Sequence, residues 1–227
     1  MYFDPYYLVL VLPTILLSLF AQILVKSTFA KYSRIRSSRN LSGYEVAGLL
    51  MQMNRIRDVA IEPVQGSLTD HYDPGAKVLR LSRPVYRETS IAAIGVAAHE
   101  TGHAIQHARS YGPLALRGTL VPVANIGASF GPWIAMGGIF FSFPVLIHLG
   151  IILFGVSVLF YVITLPVEFD ASSRAIALLR SHKVLTEAEL AGVKKVLTAA
   201  ALTYVASALT ALMGFLRLIL IARDRER

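Results

Sequence analysis

Cysteine is absent, so the chain carries no disulfide and no Cys-based metal or redox centre, as suits a reducing compartment. Charge is scarce too. Of 227 residues, 16% are charged and 55% hydrophobic, more apolar material than a soluble fold of this size readily hides. Neither lysine nor arginine occurs before residue 6 or in the short 142–144 segment. Internal repeats and low-complexity tracts are also missing, so the fold is not built from stacked units.

What is present in quantity is long apolar sequence. Residues 6–25, 119–141, 145–165 and 196–216 each reach the roughly 20 residues needed to cross a hydrocarbon core of about 30 Å. The first stretch has no small-residue cleavage site after it and runs straight into "KSTFAKYSRIRSSR", which reads as a retained anchor.

The net charge of +8 invites a nucleic-acid reading, but its distribution opposes one. Of 22 Lys and Arg residues, 13 lie between the first and second apolar stretches and five between the third and fourth. That is the positive-inside pattern of a membrane protein. It predicts residues 26–118 and 167–195 on the cytoplasmic face, with the lipid bilayer as partner. The basic tail "RDRER" runs against the rule for a fourth full crossing. The expected division is an anchor at 1–25, a first cytoplasmic part at 26–118, a transmembrane hairpin at 119–166, a second cytoplasmic part at 167–195, and a fourth helix with tail at 196–227.

Within 26–118 the pattern is mixed. Ser42 and Glu45 form a capping box opening the apolar-periodic "GYEVAGLLMQMNRIR". A short strand is expected at residues 59–62. "DHYDPGAKVLRLS" combines turn chemistry with an extended "KVLRLS", read either as an edge strand able to hold an extended peptide or as an interior strand. Ser90 caps the next helix, "IAAIGVAAHETGHAIQHAR". The expected fold is mainly α: about four transmembrane helices plus a small α+β cytoplasmic domain, which the H-E-x-x-H of this last helix, His99-Glu100-Thr101-Gly102-His103, makes zincin-like.

That last helix carries H-E-x-x-H, formed by His99, Glu100 and His103. Residues four apart on a helix stack about 6 Å apart along the axis, so both imidazoles can reach one zinc ion. Glu100 projects toward the same ion and is placed to act as a base rather than a ligand. The flanking residues are uncharged, and Gly102 permits another backbone to approach. His107 extends the series but lies about 12 Å from His99, too far to share the ion. With Gln106 at the metzincin glycine position and no histidine at 109, that spacing is excluded. A catalytic zinc usually takes three protein ligands, so one must come from elsewhere.

"LPVEFDASSRAIALLRSH" places Glu168 and Asp170 just past the third apolar stretch, where acids are costly unless paired or functional. If this segment is helical, Glu168 and Ser172 share a face while Asp170 points about 200° away, so both acids cannot ligate one ion. Pro166 suits the start of such a helix.

"AAHETGHAIQHA", "DHYDPGAKVLRLS" and "LPVEFDASSRA" together resemble the YugP-type neutral zinc metallopeptidases, which are bacterial membrane proteins. They are also similar to the HtpX-type proteases, in which a third glutamate opens an E-F/Y-x-A-D motif. The resemblance implies a gluzincin-like site in the cell (inner) membrane: one Zn2+ held by His99, His103 and Glu168, with Glu100 as general base. Asp170 would support a ligating histidine, because Ser172 stands where the HtpX-type motif has aspartate.

The reaction would be metal-assisted hydrolysis of a protein or peptide substrate, with Glu100 moving a proton from water to the leaving amine. His71, Tyr72, Tyr86 and Arg174 are the residues available to stabilise an oxyanion. Two other readings compete, an intramembrane protease and a scaffold with a structural metal. Arg87, Glu88 and Arg109 leave too short an apolar run for the first, and Glu100 has no use in the second.

Overall fold

The computed structural model of the chain describes residues 5–226. Two compact units emerge. One takes the chain up to Gln22, Ala115–Pro166 and the chain from Leu202 on; the other takes Ile23–Leu114 and Val167–Ala201.

The first unit draws on four long helices: α1 (Leu12–Tyr32), α5 (Gly112–Phe140), α6 (Pro144–Ser181) and α7 (Glu187–Glu226). Each is long and apolar enough to cross a membrane, α1 together with the π-helical turn Tyr7–Val11 before it. Leu16, Phe20, Trp133, Phe140 and Ile152 are all more than half exposed, an arrangement that calls for hydrocarbon rather than water. Where α5 meets α6, small residues set the spacing. A Cβ on Gly127 would lie 2.0 Å from Leu153 O, and one on Gly150 would lie 2.3 Å from Ala135 N. Backbones this close are the usual basis of helix association in lipid, where apolar burial drives nothing.

The helices outrun the apolar stretches read from the sequence. α6 passes through Pro166 without a break, so that proline does not open a new helix. A proline inside a membrane helix is tolerated where neighbouring groups re-satisfy the backbone it frees. Glu168 and Asp170, the acids of the second basic segment, therefore ride on a direct extension of an apolar helix.

The second unit holds α2 (Gly43–Met53), β1 (Ala60–Val64), β2 (His71–Asp73), β3 (Val78–Ser82), α3 (Arg83–Arg87) and α4 (Ile91–Ala108). The capping box opens α2 as expected: Glu45 N donates to Ser42 Oγ, and Ser42 N donates to the Glu45 carboxylate at 2.7 Å. Ser90 Oγ likewise accepts from Ala93 N at the start of α4.

The three strands run in the order β1-β3-β2, with β3 parallel to β1 and antiparallel to β2. The structure thus decides for the interior reading of "KVLRLS". Val78, Leu79 and Leu81 are buried, the near-continuous burial of a strand flanked on both sides. The first strand falls two residues later than expected at its C-terminal end, because its register follows β3 up to the pair Val64 and Ser82.

α4 is sunk into this unit, with nearly every residue from Ile91 to Gln106 buried. Ile91, Ile94 and Ala98 pack with Val46, Leu50, Leu179 and Leu190, while Ala97 packs with Leu79, Leu81 and Val85. A helix enclosed in this way holds its polar side chains in fixed places.

Candidate metal centre

The site is built from α4 and α6. Gly102 faces Ala171 so closely that a Cβ there would lie 2.7 Å from Ala171 O. That approach aligns the H-E-x-x-H turn with the turn carrying Glu168, both within the second unit.

His99 and His103 stack one turn apart, with ring centroids 4.8 Å apart and ring planes at 82°. The Nε2 atoms of both rings face Glu168 Oε2, at 3.2 Å from His99 and 3.5 Å from His103. Glu168 is 1% exposed, so its carboxylate is shut off from water. Burial opposes protonation of His103, yet the facing Glu168 and Glu100 carboxylates outweigh it and hold its pKa above the ordinary imidazole value.

A zinc ion fits this donor set. His99, His103 and Glu168 each offer one atom, all within 4.8 Å of one another. Ligands about 2.0–2.1 Å from a tetrahedral ion stand roughly 3.3 Å apart, which the two measured nitrogen-to-oxygen separations bracket. Two imidazoles and a carboxylate also leave one tetrahedral position for water or substrate.

The surrounding side chains hold the rings by their other nitrogens. Ser172 Oγ lies 3.1 Å from His99 Nδ1, and Gln106 Oε1 lies 3.0 Å from His103 Nδ1. Asp170 does not reach a histidine. It accepts from Gln106 Nε2 at 2.8 Å and from Arg174 Nε, so the support expected of it is passed through Gln106. Ser172, standing where the HtpX-type motif has aspartate, takes the place beside His99 instead.

Glu100 is 9% exposed, and among the described residues no group hydrogen-bonds its carboxylate. Nearby, Asp70 accepts from Ser82 N at 2.7 Å and from Ser82 Oγ, joining the start of β2 to the end of β3. Burial, aided by the charge of Glu100, raises the Asp70 pKa above its usual value.

The other residues singled out from the sequence are distributed unevenly. Tyr72 lies against α4, its hydroxyl 2.7 Å from His107 Nδ1, and burial raises its pKa. Its neighbour His71 is exposed, its Nδ1 2.8 Å from Thr69 O. Side chains alternate along a strand, so the two could not both face the helix. Arg174 lies over the Tyr111 ring as well as pairing with Asp170, and Tyr86 packs on Tyr44.

Sequence reasoning passed over Gln106 and Asp70. Gln106 had a legible signal: a polar residue three positions after His103 on the same helix shares its face. Asp70 had none, because its proximity to Glu100 depends on how the strands pair.

Compared with known proteins, residues 7–223 match the family described as "Putative neutral zinc metallopeptidase". The chain is also 51% identical over 205 residues to the "Putative membrane protease YugP" of Bacillus subtilis (strain 168), covering 90% of this chain and 91% of that protein. No solved structure matches. A match across nearly the whole length, on a chain whose two motif histidines and buried glutamate converge, makes this protein a member of that neutral zinc metallopeptidase family.

Proposed function

We propose that the protein is a membrane-bound zinc endopeptidase that hydrolyses peptide bonds of membrane-associated or misfolded proteins at the cytoplasmic face. The observation that carries the reading is the convergence of His99 Nε2, His103 Nε2 and the buried Glu168 carboxylate, beside a Glu100 carboxylate that no group hydrogen-bonds among the described residues.

His99, His103 and Glu168 would hold one zinc ion in a gluzincin-like set. When bound, zinc supplies Lewis acidity that polarises a peptide carbonyl and makes water a stronger acid. Glu100 accepts the water proton on its carboxylate and delivers it to the departing amine nitrogen. Closure of α4 within the core keeps the two imidazoles aimed while the peptide is attacked. An extended substrate would add to β2, an edge strand of the sheet, whose Tyr72 packs toward α4.

The cytoplasmic assignment rests on the lysine and arginine asymmetry between the apolar stretches. An intramembrane protease is disfavoured because α4 is not among the four helices apolar enough to span a bilayer.

The test is purification in detergent, metal analysis, and proteolysis of an unfolded protein with and without chelator. Glu100→Gln is expected to keep zinc and lose cleavage, whereas His99→Ala and His103→Ala lose both. Full cleavage by Glu100→Gln would refute the mechanism, and zinc without any cleavage by the unaltered protein would favour a structural metal.

A further inference from the structure

We propose that Gln106 is the positioning residue of the site: it fixes the tautomer of His103 and couples the histidine helix to the helix that carries Glu168. The proposal rests on the zinc-site reading above.

Gln106 is 0% exposed, so each of its polar atoms must find a partner within the protein. Its Nε2 donates to Val167 O at 2.8 Å and to Asp170 Oδ2 at 2.8 Å. A main-chain carbonyl and a carboxylate only accept, so the amide cannot be turned the other way without setting oxygen against two acceptors. Oε1 is thereby committed to the side facing His103 Nδ1, 3.0 Å away. An oxygen there can only accept, so Nδ1 carries the hydrogen and donates it. In the neutral ring that a metal would bind, Nε2 of His103 is then left with its lone pair, on the side that faces Glu168.

His99 is held differently. Its Nδ1 meets the Ser172 hydroxyl, a group that can donate or accept by rotating. The tautomer is therefore imposed at His103 and left free at His99.

The same amide grips α6 on both sides of Glu168, at Val167 and at Asp170. Arg174 Nε donates to the same Asp170 oxygen, completing a chain from Arg174 through Asp170 and Gln106 to His103. A chain of hydrogen bonds ending on a ligating imidazole orients the ring and raises its basicity. Only an amide has both the accepting oxygen and the two hydrogens this position uses.

The experiment measures zinc affinity by chelator competition on detergent-purified protein, with the absorption spectrum of the Co2+-loaded form as a second readout. Gln106→Met matches the length without the polar atoms and is expected to bind zinc about 10- to 100-fold more weakly. Gln106→Glu keeps the acceptor for His103 but sets a carboxylate oxygen against both Asp170 and Val167 O, and is expected to lose as much. Adding Asp170→Asn to Gln106→Glu restores a donor at one of the two opposed positions, with Val167 O still facing an oxygen, and is expected to recover part of the affinity and of the cobalt spectrum. A role in packing alone predicts the reverse order, with Gln106→Met tolerated and the second substitution adding damage. Should the unaltered protein bind zinc while the double variant is no better than Gln106→Glu, the role of Gln106 is overturned and the zinc site stands. Should the folded, unaltered protein bind no zinc, both fall.

Discussion

Replacing Gly102 by alanine tests the geometry of the proposed metal centre without touching a residue proposed as ligand. The new Cβ would lie 2.7 Å from Ala171 O and 3.1 Å from Ala171 Cα, and these are backbone atoms that no rotamer change can clear. Ordinary contact begins at 3.4 Å, so relief requires roughly 0.7 Å of separation between α4 and α6 at the turn that carries the site. The two Nε2 atoms and Glu168 Oε2 are 3.2 Å and 3.5 Å apart, while zinc sites tolerate about 0.2 Å of error in each bond. Part of the strain can be shared along the helices, but the remainder exceeds that tolerance. Zinc affinity is expected to fall at least about tenfold, with an overpacking cost of about 1–3 kcal/mol in stability. Chelator competition and thermal unfolding in detergent measure the two effects. Gly118→Ala is the control, since nothing lies within 4 Å of its added Cβ. Zinc affinity in Gly102→Ala within about twofold of that control would show that the approach of the two backbones does not set the ligand geometry.

Zinc content is expected to collapse in Glu168→Ala and only weaken in Asp170→Asn, because the first loses a facing oxygen and the second loosens Gln106; metal analysis giving the opposite order would reverse the assignment. Reporter fusions at Arg57 and His182 should read cytoplasmic and one at Phe143 external, and opposite faces for the first two would separate the two halves of the proposed zinc site. A raised Asp70 pKa means that the stability tied to its protonated form is fully present below the unfolded value of about 3.9 and is lost as pH rises through the folded value. Asp70→Asn, which cannot ionise, should therefore gain on the unaltered protein in melting temperature from pH 4 to pH 8; a constant difference would count against the shift.

Local chemistry was legible before any fold was known. Ser42 with Glu45 and Ser90 cap helices because capping needs only the next three residues, and both caps form. The spacing of His99 and His103 places two rings on one face for the same reason: helix geometry alone sets it. Four apolar helices followed from length and hydropathy, because a bilayer imposes a minimum run.

Tertiary structure decided what pairing across the chain decides. "KVLRLS" became a central strand only when β1 and β2 took opposite sides of it, and no residue within β3 encodes its neighbours. Glu168 stands 69 residues from His99, and the two meet because Gly102 admits the α6 backbone. Which side chain would hold each ring was likewise settled at a distance. Ser172 was read as a departure from a motif and Gln106 as an interruption of one, yet each lies beside a histidine Nδ1 once α4 and α6 are packed. Helical periodicity specifies which residues share a face; only the packing of that face against another element specifies what they touch.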